Sequence, residues 1–179
     1  MRTLTLLAVA TAGFAQNPVK VVKQLTPEKA LIFEVTVPAR RAEVWQAFTT
    51  SEGLSTWLTP GAVVELQKGG EWTAHFPGGK TGGGTILSFV PEEQLTMAAL
   101  APEAFPTVRA ERTTARFEFS VEGDATRVRL IQTGWKSGPE WDKAYNYLAQ
   151  GNVQLLETLR QRFVSGPIDW EKEWGLPKK

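Results

Sequence analysis

From Ala30 the chain alternates between apolar and less apolar positions. Leu31, Phe33, Val35 and Val37 interleave with Ile32, Glu34 and Thr36, the period-2 pattern of a half-buried strand. Pro38 closes that strand, and the period lengthens. Val44, Trp45, Ala47 and Phe48 make one face of a helix. Thr50 or Ser51 is placed to cap a second short helix carrying Leu54, Trp57 and Leu58, which Pro60-Gly61 ends. Residues 62 to 135 return to strand spacing. Short runs over Ala62–Leu66, Gly70–Phe76, Thr85–Val90, Gln94–Leu100, Thr113–Val121 and Thr126–Thr133 are separated by turn residues. Within the second run Trp72, Ala74 and Phe76 fall on one side and Glu71, Thr73 and His75 on the other. Glu122-Gly123-Asp124 reads as a tight hairpin turn, and Pro102 to Arg109 as a longer loop.

The period changes once more near the C-terminus. Trp141, Ala144, Tyr145, Leu148, Leu155, Leu156, Leu159 and Phe163 recur at helical spacing. Ser137-Gly138-Pro139-Glu140 has the spacing of a capping box, with Pro in the first turn, and Ser165-Gly166-Pro167 is a stop. A helix of that length spans about 40 Å, and its apolar stripe requires it to lie across the sheet. The sum is one α+β domain over residues 30–164: a strand, two helices, about six strands and a long helix. Residues 16–29 are a polar lead-in, and residues 165–179 form a tail with Trp170 and Trp174 one helical turn apart.

The first fifteen residues read as an address. Met1-Arg2 gives a positive start, Leu4 to Ala12 an apolar run, and Gly13-Phe14-Ala15 small residues where a signal peptidase reads. The mature chain is expected to begin at Gln16, with Ala10-Thr11-Ala12 as a second cleavage site. The protein is then exported, periplasmic or secreted. The run is too short to span a bilayer, so no stable membrane insertion is expected.

Composition removes much chemistry. There is no Cys and one His, His75, so disulfides, thiolate metal sites and thiol nucleophiles are excluded. Twenty basic residues against nineteen acidic ones leave no net field to attract nucleic acid. No cofactor or metal is expected. Gly79-Lys80-Thr81 resembles the end of a phosphate-binding loop, but its early Gly is replaced by Ala74, and Gly82-Gly83-Gly84 opposes the helix such a loop needs. Gly53-Leu54-Ser55-Thr56-Trp57 lacks the final Gly of a nucleophile elbow. Asp169, Glu171 and Glu173, with Lys172 between, suit a solvated helix face better than a metal site.

Seven Trp suit either core packing or a cavity with aromatic walls. Two amides sit on inward-facing positions. Gln132 alternates with Val128 and Leu130, and Asn152 lies on the helix stripe between Leu148 and Leu155. A buried amide needs partners. These two either satisfy each other or nearby backbone and water, or they meet a ligand.

Val44-Trp45-Gln46-Ala47-Phe48-Thr49 followed by Leu54-Ser55-Thr56-Trp57 is similar to the paired-helix signature of the family named for the activator of heat-shock-protein-90 ATPase. That family lies within the START-like, birch-pollen-allergen-like (SRPBCC) superfamily. Gly69-Gly70-Glu71-Trp72, Pro91-Glu92-Glu93-Gln94-Leu95 and Thr126-Arg127-Val128-Arg129-Leu130 with Gly134-Trp135 resemble its later segments in the same order. The resemblance implies a helix-grip fold, a curved antiparallel sheet around the long helix, with a hydrophobic cavity between them. Alternation and resemblance together place Trp57, Trp72, Phe76, Val128, Leu130, Gln132, Leu148, Asn152 and Leu155 around that cavity. The expected partner is an apolar small molecule or lipid. A cyclase or hydrolase using the same cavity, or a protein-interaction module, is the alternative. Where the family usually has Gly-Trp, this chain has Gly151-Asn152, which should enlarge or polarise the cavity. Export also departs from the co-chaperone role in the family's name.

Overall fold

The computed structural model of the protein describes residues 18–175. The segment read as an export signal lies outside them. The chain opens with β1 (Lys20–Gln24) and β2 (Ala30–Val37), where Leu31, Phe33, Val35 and Val37 are all buried as their alternation predicts. Helix α1 (Arg41–Thr49) begins with Glu43 Oε2 accepting a hydrogen bond from Arg40 N at 3.1 Å. Thr50 then caps α2 (Ser51–Ser55), its hydroxyl accepting from Gly53 N at 2.9 Å. Gly53 is where the two helices meet. A Cβ there would lie 2.2 Å from the Gln46 carbonyl oxygen, so any side chain would prise them apart.

A meander follows: β3 (Val63–Val64), β4 (Glu71–His75), β5 (Thr81–Val90), β6 (Gln94–Leu100), β7 (Thr113–Glu122) and β8 (Ala125–Thr133), with a short helix α3 (Pro106–Glu111) between β6 and β7. The eight strands form one antiparallel sheet in the order β1-β2-β8-β7-β6-β5-β4-β3. Strand β2 enters beside β8, with Leu31 opposite Gln132. A register shift between Ile86 and Ser88 bends β5. The curved sheet holds α4 (Pro139–Ser165), whose buried stripe is Trp141, Ala144, Tyr145, Ala149, Leu156 and Leu159. Tyr145 fixes one end of it by donating its hydroxyl to the Ala30 carbonyl at 3.0 Å, and burial pushes the phenol's pKa up. This is the helix-grip α+β fold expected from the sequence.

Four local departures have physical reasons. The polar lead-in contains β1, an edge strand whose residues are mostly exposed, so no alternation marked it. Strand β5 starts at Thr81 rather than Thr85 because its glycines let neighbouring strands approach closely. At Gly83, with φ of 117°, a Cβ would sit 2.0 Å from the Trp72 carbonyl oxygen. Helix α3 replaces part of the expected loop. It buries one apolar side chain, Val108, too few to show a period.

The fourth departure corrects the capping box. Gly138 caps α4 without a side-chain bond, and Glu140 turns instead to α3. Its carboxylate accepts from Thr107 N at 2.7 Å, Thr107 Oγ1 at 2.8 Å and Val108 N at 3.1 Å. Those amides are orphan donors of α3's first turn, where Pro106 supplies none. Desolvation works against the charge, but the Thr107 hydroxyl and the two amides outweigh it and hold the Glu140 pKa below its ordinary value.

The tail packs back on the domain through the helix α5 (Trp170–Glu173). Ile168 N donates to the Thr56 carbonyl at 2.9 Å, and Trp170 Nε1 to the Ser55 carbonyl at 2.6 Å.

Candidate functional site

Between the sheet and the middle of α4 lies a cavity of about 750 Å³. The strands supply its walls because each turns an alternate set of side chains toward the helix. Strand β4 gives Trp72 and Ala74, with Phe76 just beyond its end; β6 gives Met97 and Ala99; β7 gives Ala115 and Phe117; β8 gives Leu130 and Gln132. Helix α4 closes the other side with Tyr147, Leu148, Gly151, Asn152 and Leu155. Leu148 and Leu155 are only half-buried, as expected of apolar side chains that face a hollow. The rim is exposed and includes Pro77, Lys80, Glu103 and Ala104. Arg109 braces it. Its Nη1 donates to the carbonyls of Ala101 at 2.6 Å and Thr81 at 3.3 Å, and its Nη2 to Thr81 Oγ1 at 2.8 Å.

Seven of the nine residues expected at a cavity line this one: Trp72, Phe76, Leu130, Gln132, Leu148, Asn152 and Leu155. Trp57 and Val128 do not. Trp57 is 0% exposed and packs beneath α1, its indole N–H donating to the Ala47 carbonyl at 2.8 Å. Val128 shares the inward face of β8 but lies further along it, between Val35 and Phe119 on the neighbouring strands. Period shows which way a side chain points, not where along the strand the hollow ends. The sequence reading missed Ala74, Met97, Ala115, Phe117, Tyr147 and Gly151. The alternation of 94–100 and 113–121 carried the signal for Met97, Ala115 and Phe117.

The two inward amides do meet. Asn152 Nδ2 donates to Gln132 Oε1 at 2.8 Å, and Gln132 Nε2 donates to Thr113 Oγ1 at 2.8 Å. Gln132 is 5% exposed and Thr113 3%, so this ladder keeps buried polar groups paired. The backbone carbonyl of Gln132 also accepts from Trp135 Nε1 at 2.9 Å.

Other candidate residues stay apart. His75 is exposed on β4 and outside the cavity wall. Ser55 ends α2, where its carbonyl serves Trp170. Lys80 precedes a strand, not a helix. Among the described residues, no group of three or more His, Cys, Asp or Glu side chains could hold a metal ion. No helix among them is long and apolar enough to cross a membrane. A second hollow, of about 430 Å³, lies between α1, α2 and the end of α4, where Arg162 Nε donates to Thr56 Oγ1 at 2.9 Å.

A curved sheet gripping a long helix over an apolar hollow defines the START-like class, a fold of the kind that binds small hydrophobic ligands. Within it, the chain belongs to the Activator of Hsp90 ATPase homolog 1-like protein family, whose sequence profile matches residues 38–163. Solved structures agree on the fold. Protein MLL2253 from Mesorhizobium loti superposes with a TM-score of 0.66 at 18% identity, covering 78% of this chain and 100% of that one. The Aha1 dimer from Colwellia psychrerythraea gives 0.62 at 17% identity, covering 76% and 97%. CalU16 from Micromonospora echinospora gives 0.57 at 20% identity, covering 87% of each chain. No curated protein matches the sequence.

Proposed function

We propose that the protein binds a small apolar molecule in the cavity between sheet and α4. The cavity itself carries this reading: about 750 Å³ falls in the range of small-molecule sites, which are mostly apolar with few placed polar groups. Burial of a ligand would complete the half-exposed Leu148 and Leu155, removing apolar surface from water at about 25 cal/mol per Å². The decisive measurement is native mass spectrometry of protein purified from its own host. A retained small molecule that leaves on denaturation is the expected result. Empty protein that also takes up no apolar probe would overturn the reading. A cyclase or hydrolase in the same cavity would need an acid or base there, and the ionisable side chains on its lining are Lys80, Glu103 and Tyr147.

The site of action we propose is outside the cytoplasm, on the strength of the apolar run from Leu4 to Ala12 and the Gly13-Phe14-Ala15 boundary. N-terminal sequencing of protein from the native host should return Gln16. Intact Met1 on cytoplasmic protein would sink the proposal.

A further inference from the structure

A fold needs glycine where the chain turns with a positive φ, or where another backbone comes too close for a Cβ. Gly53 and Gly83 meet the second condition. Gly151 meets neither. It stands near the middle of α4, its φ lies outside the positive range, and a Cβ built on it would have no atom within 4 Å. Among the described glycines it alone combines these properties. Inside a helix, glycine is less stable than alanine, and no packing contact here offsets that loss. What the missing side chain leaves is open space. That space belongs to the mouth of the cavity, because Gly151 both lines the hollow and is exposed.

The surroundings shape this space into a notch. Helix α4 leans on β1 and β2 and touches α3, which closes the hollow along that side. On the other side the lining runs out to exposed residues at the turn between β4 and β5: Phe76, Pro77 and Lys80. Tyr147, Gly151 and Leu155 are spaced four apart, share one face of α4, and all line the hollow. Tyr147 is 56% exposed, and its ring is held edge-on against Phe105 with centroids 5.5 Å apart. Tyr147 and Leu155 stand about 12 Å apart along the helix axis, and between them the helix presents bare backbone. Its N–H and C=O groups are paired within the helix, so an apolar molecule passing over it meets no orphaned polar group.

We propose that the ligand enters and leaves the cavity through this notch, with Gly151 as the residue that determines how broad a ligand can pass. This rests on the cavity being a ligand site. A side chain at position 151 would project into the passage and narrow it from the helix side. A slender molecule would still thread between that side chain and the β4–β5 turn. A broad one would be held up in both directions, because one opening serves entry and exit.

The test uses two neutral fluorescent probes that differ in breadth: diphenylhexatriene, a rod one ring across, and pyrene, a fused-ring plate. Association and release are followed by stopped-flow fluorescence on the purified protein. Gly151→Leu should lower the association rate of pyrene about tenfold, the effect of about 1.4 kcal/mol on the barrier, and slow its release as well. The rod should be slowed less. Gly151→Ala should slow pyrene by a smaller factor and raise the melting temperature, since alanine favours the helix and meets nothing. Gln150→Leu, exposed and off the lining, should behave as the unaltered protein. Unchanged association rates in Gly151→Leu, or binding weakened by faster release alone, would make Gly151 no part of the passage. Equal slowing of rod and plate would remove its choice by breadth. A lower melting temperature in Gly151→Ala would give the glycine a structural reason instead. Each of these overturns the proposal and leaves the ligand site standing. If neither probe binds the unaltered protein, the ligand site falls and the notch with it.

Discussion

The interior has a solid end and a hollow end built from the same strands. At the solid end Phe48 sits among rings, with centroids 5.0 Å from Trp57, 4.9 Å from Phe117 and 5.1 Å from Phe119. At the hollow end several strand positions facing α4 are small, Ala74, Gly83, Ala99 and Ala115, and α4 itself carries Gly151 there. Strand β7 contributes Phe119 to the first and Ala115 to the second. Strand β8 contributes Val128 to the first and Leu130 with Gln132 to the second. Trp72 and Phe117 stack with centroids 6.5 Å apart and divide the two, and Trp72 is anchored by its indole N–H on the Phe48 carbonyl at 2.7 Å. The cavity is thus no separate element. It is what remains when side-chain volume falls along a continuous inward face.

Substitutions that change volume should separate the two ends most sharply. Phe48→Ala should cost about 3–5 kcal/mol, as large-to-small changes in a packed core do. Leu148→Ala, at the half-exposed wall, should cost about 1 kcal/mol because less area leaves water there. Urea unfolding of the two variants gives the comparison directly, and equal losses would erase the distinction. Added volume should invert the picture. Ala144→Leu, at a fully buried position of α4 that lines neither hollow, should overpack and cost about 1–3 kcal/mol. Ala115→Leu should leave the midpoint nearly unchanged and instead weaken uptake of an apolar probe. A large stability loss in Ala115→Leu would mean the hollow cannot accept a side chain.

The smallest effect concerns the rim. Because the Glu140 pKa is lowered in the folded protein, its contribution is present above the ordinary glutamate value and is lost as pH falls through the lower folded value. Below pH 4.5, α3 should therefore loosen at the mouth of the hollow end while the solid end holds. Glu140→Gln should flatten that part of the melting curve against pH. An unchanged acid limb in the variant would show that the cap contributes nothing.

Much of the architecture was legible because alternation is a local signal. Leu31 to Val37 and the α4 stripe each state their own facing, and their order along the chain matches the helix-grip arrangement. Strand β1 and helix α3 were not legible because each is held by partners far away in sequence: β1 by pairing with β2, and α3 by Glu140, some thirty residues on. The same limit explains the site. Facing predicted Leu130, Gln132, Leu148 and Asn152 correctly as inward. It carried no distance along the strand axis, so Trp57 and Val128 were grouped with residues at the other end. The bond between Asn152 and Gln132 was one of two readings that pattern alone left open, since a pairing across twenty residues has no periodic trace.

The partnership of β2 with β8 has a kinetic consequence. Leu31 lies opposite Gln132, about a hundred residues away along the chain. The meander from β4 to β8 can zip through neighbouring hairpins, but β2 must wait for the last of them before it has an edge to join. Closing so long a loop loses entropy before any contact compensates, so folding should be slow, in the millisecond-to-second range of sheet-dominated domains. Until that moment Leu31, Phe33, Val35 and Val37 lie on a strand that has only the short β1 as a neighbour, with its other edge open and its apolar face uncovered. The stretch that completes the sheet is also the one most exposed to aggregation while the protein is being made.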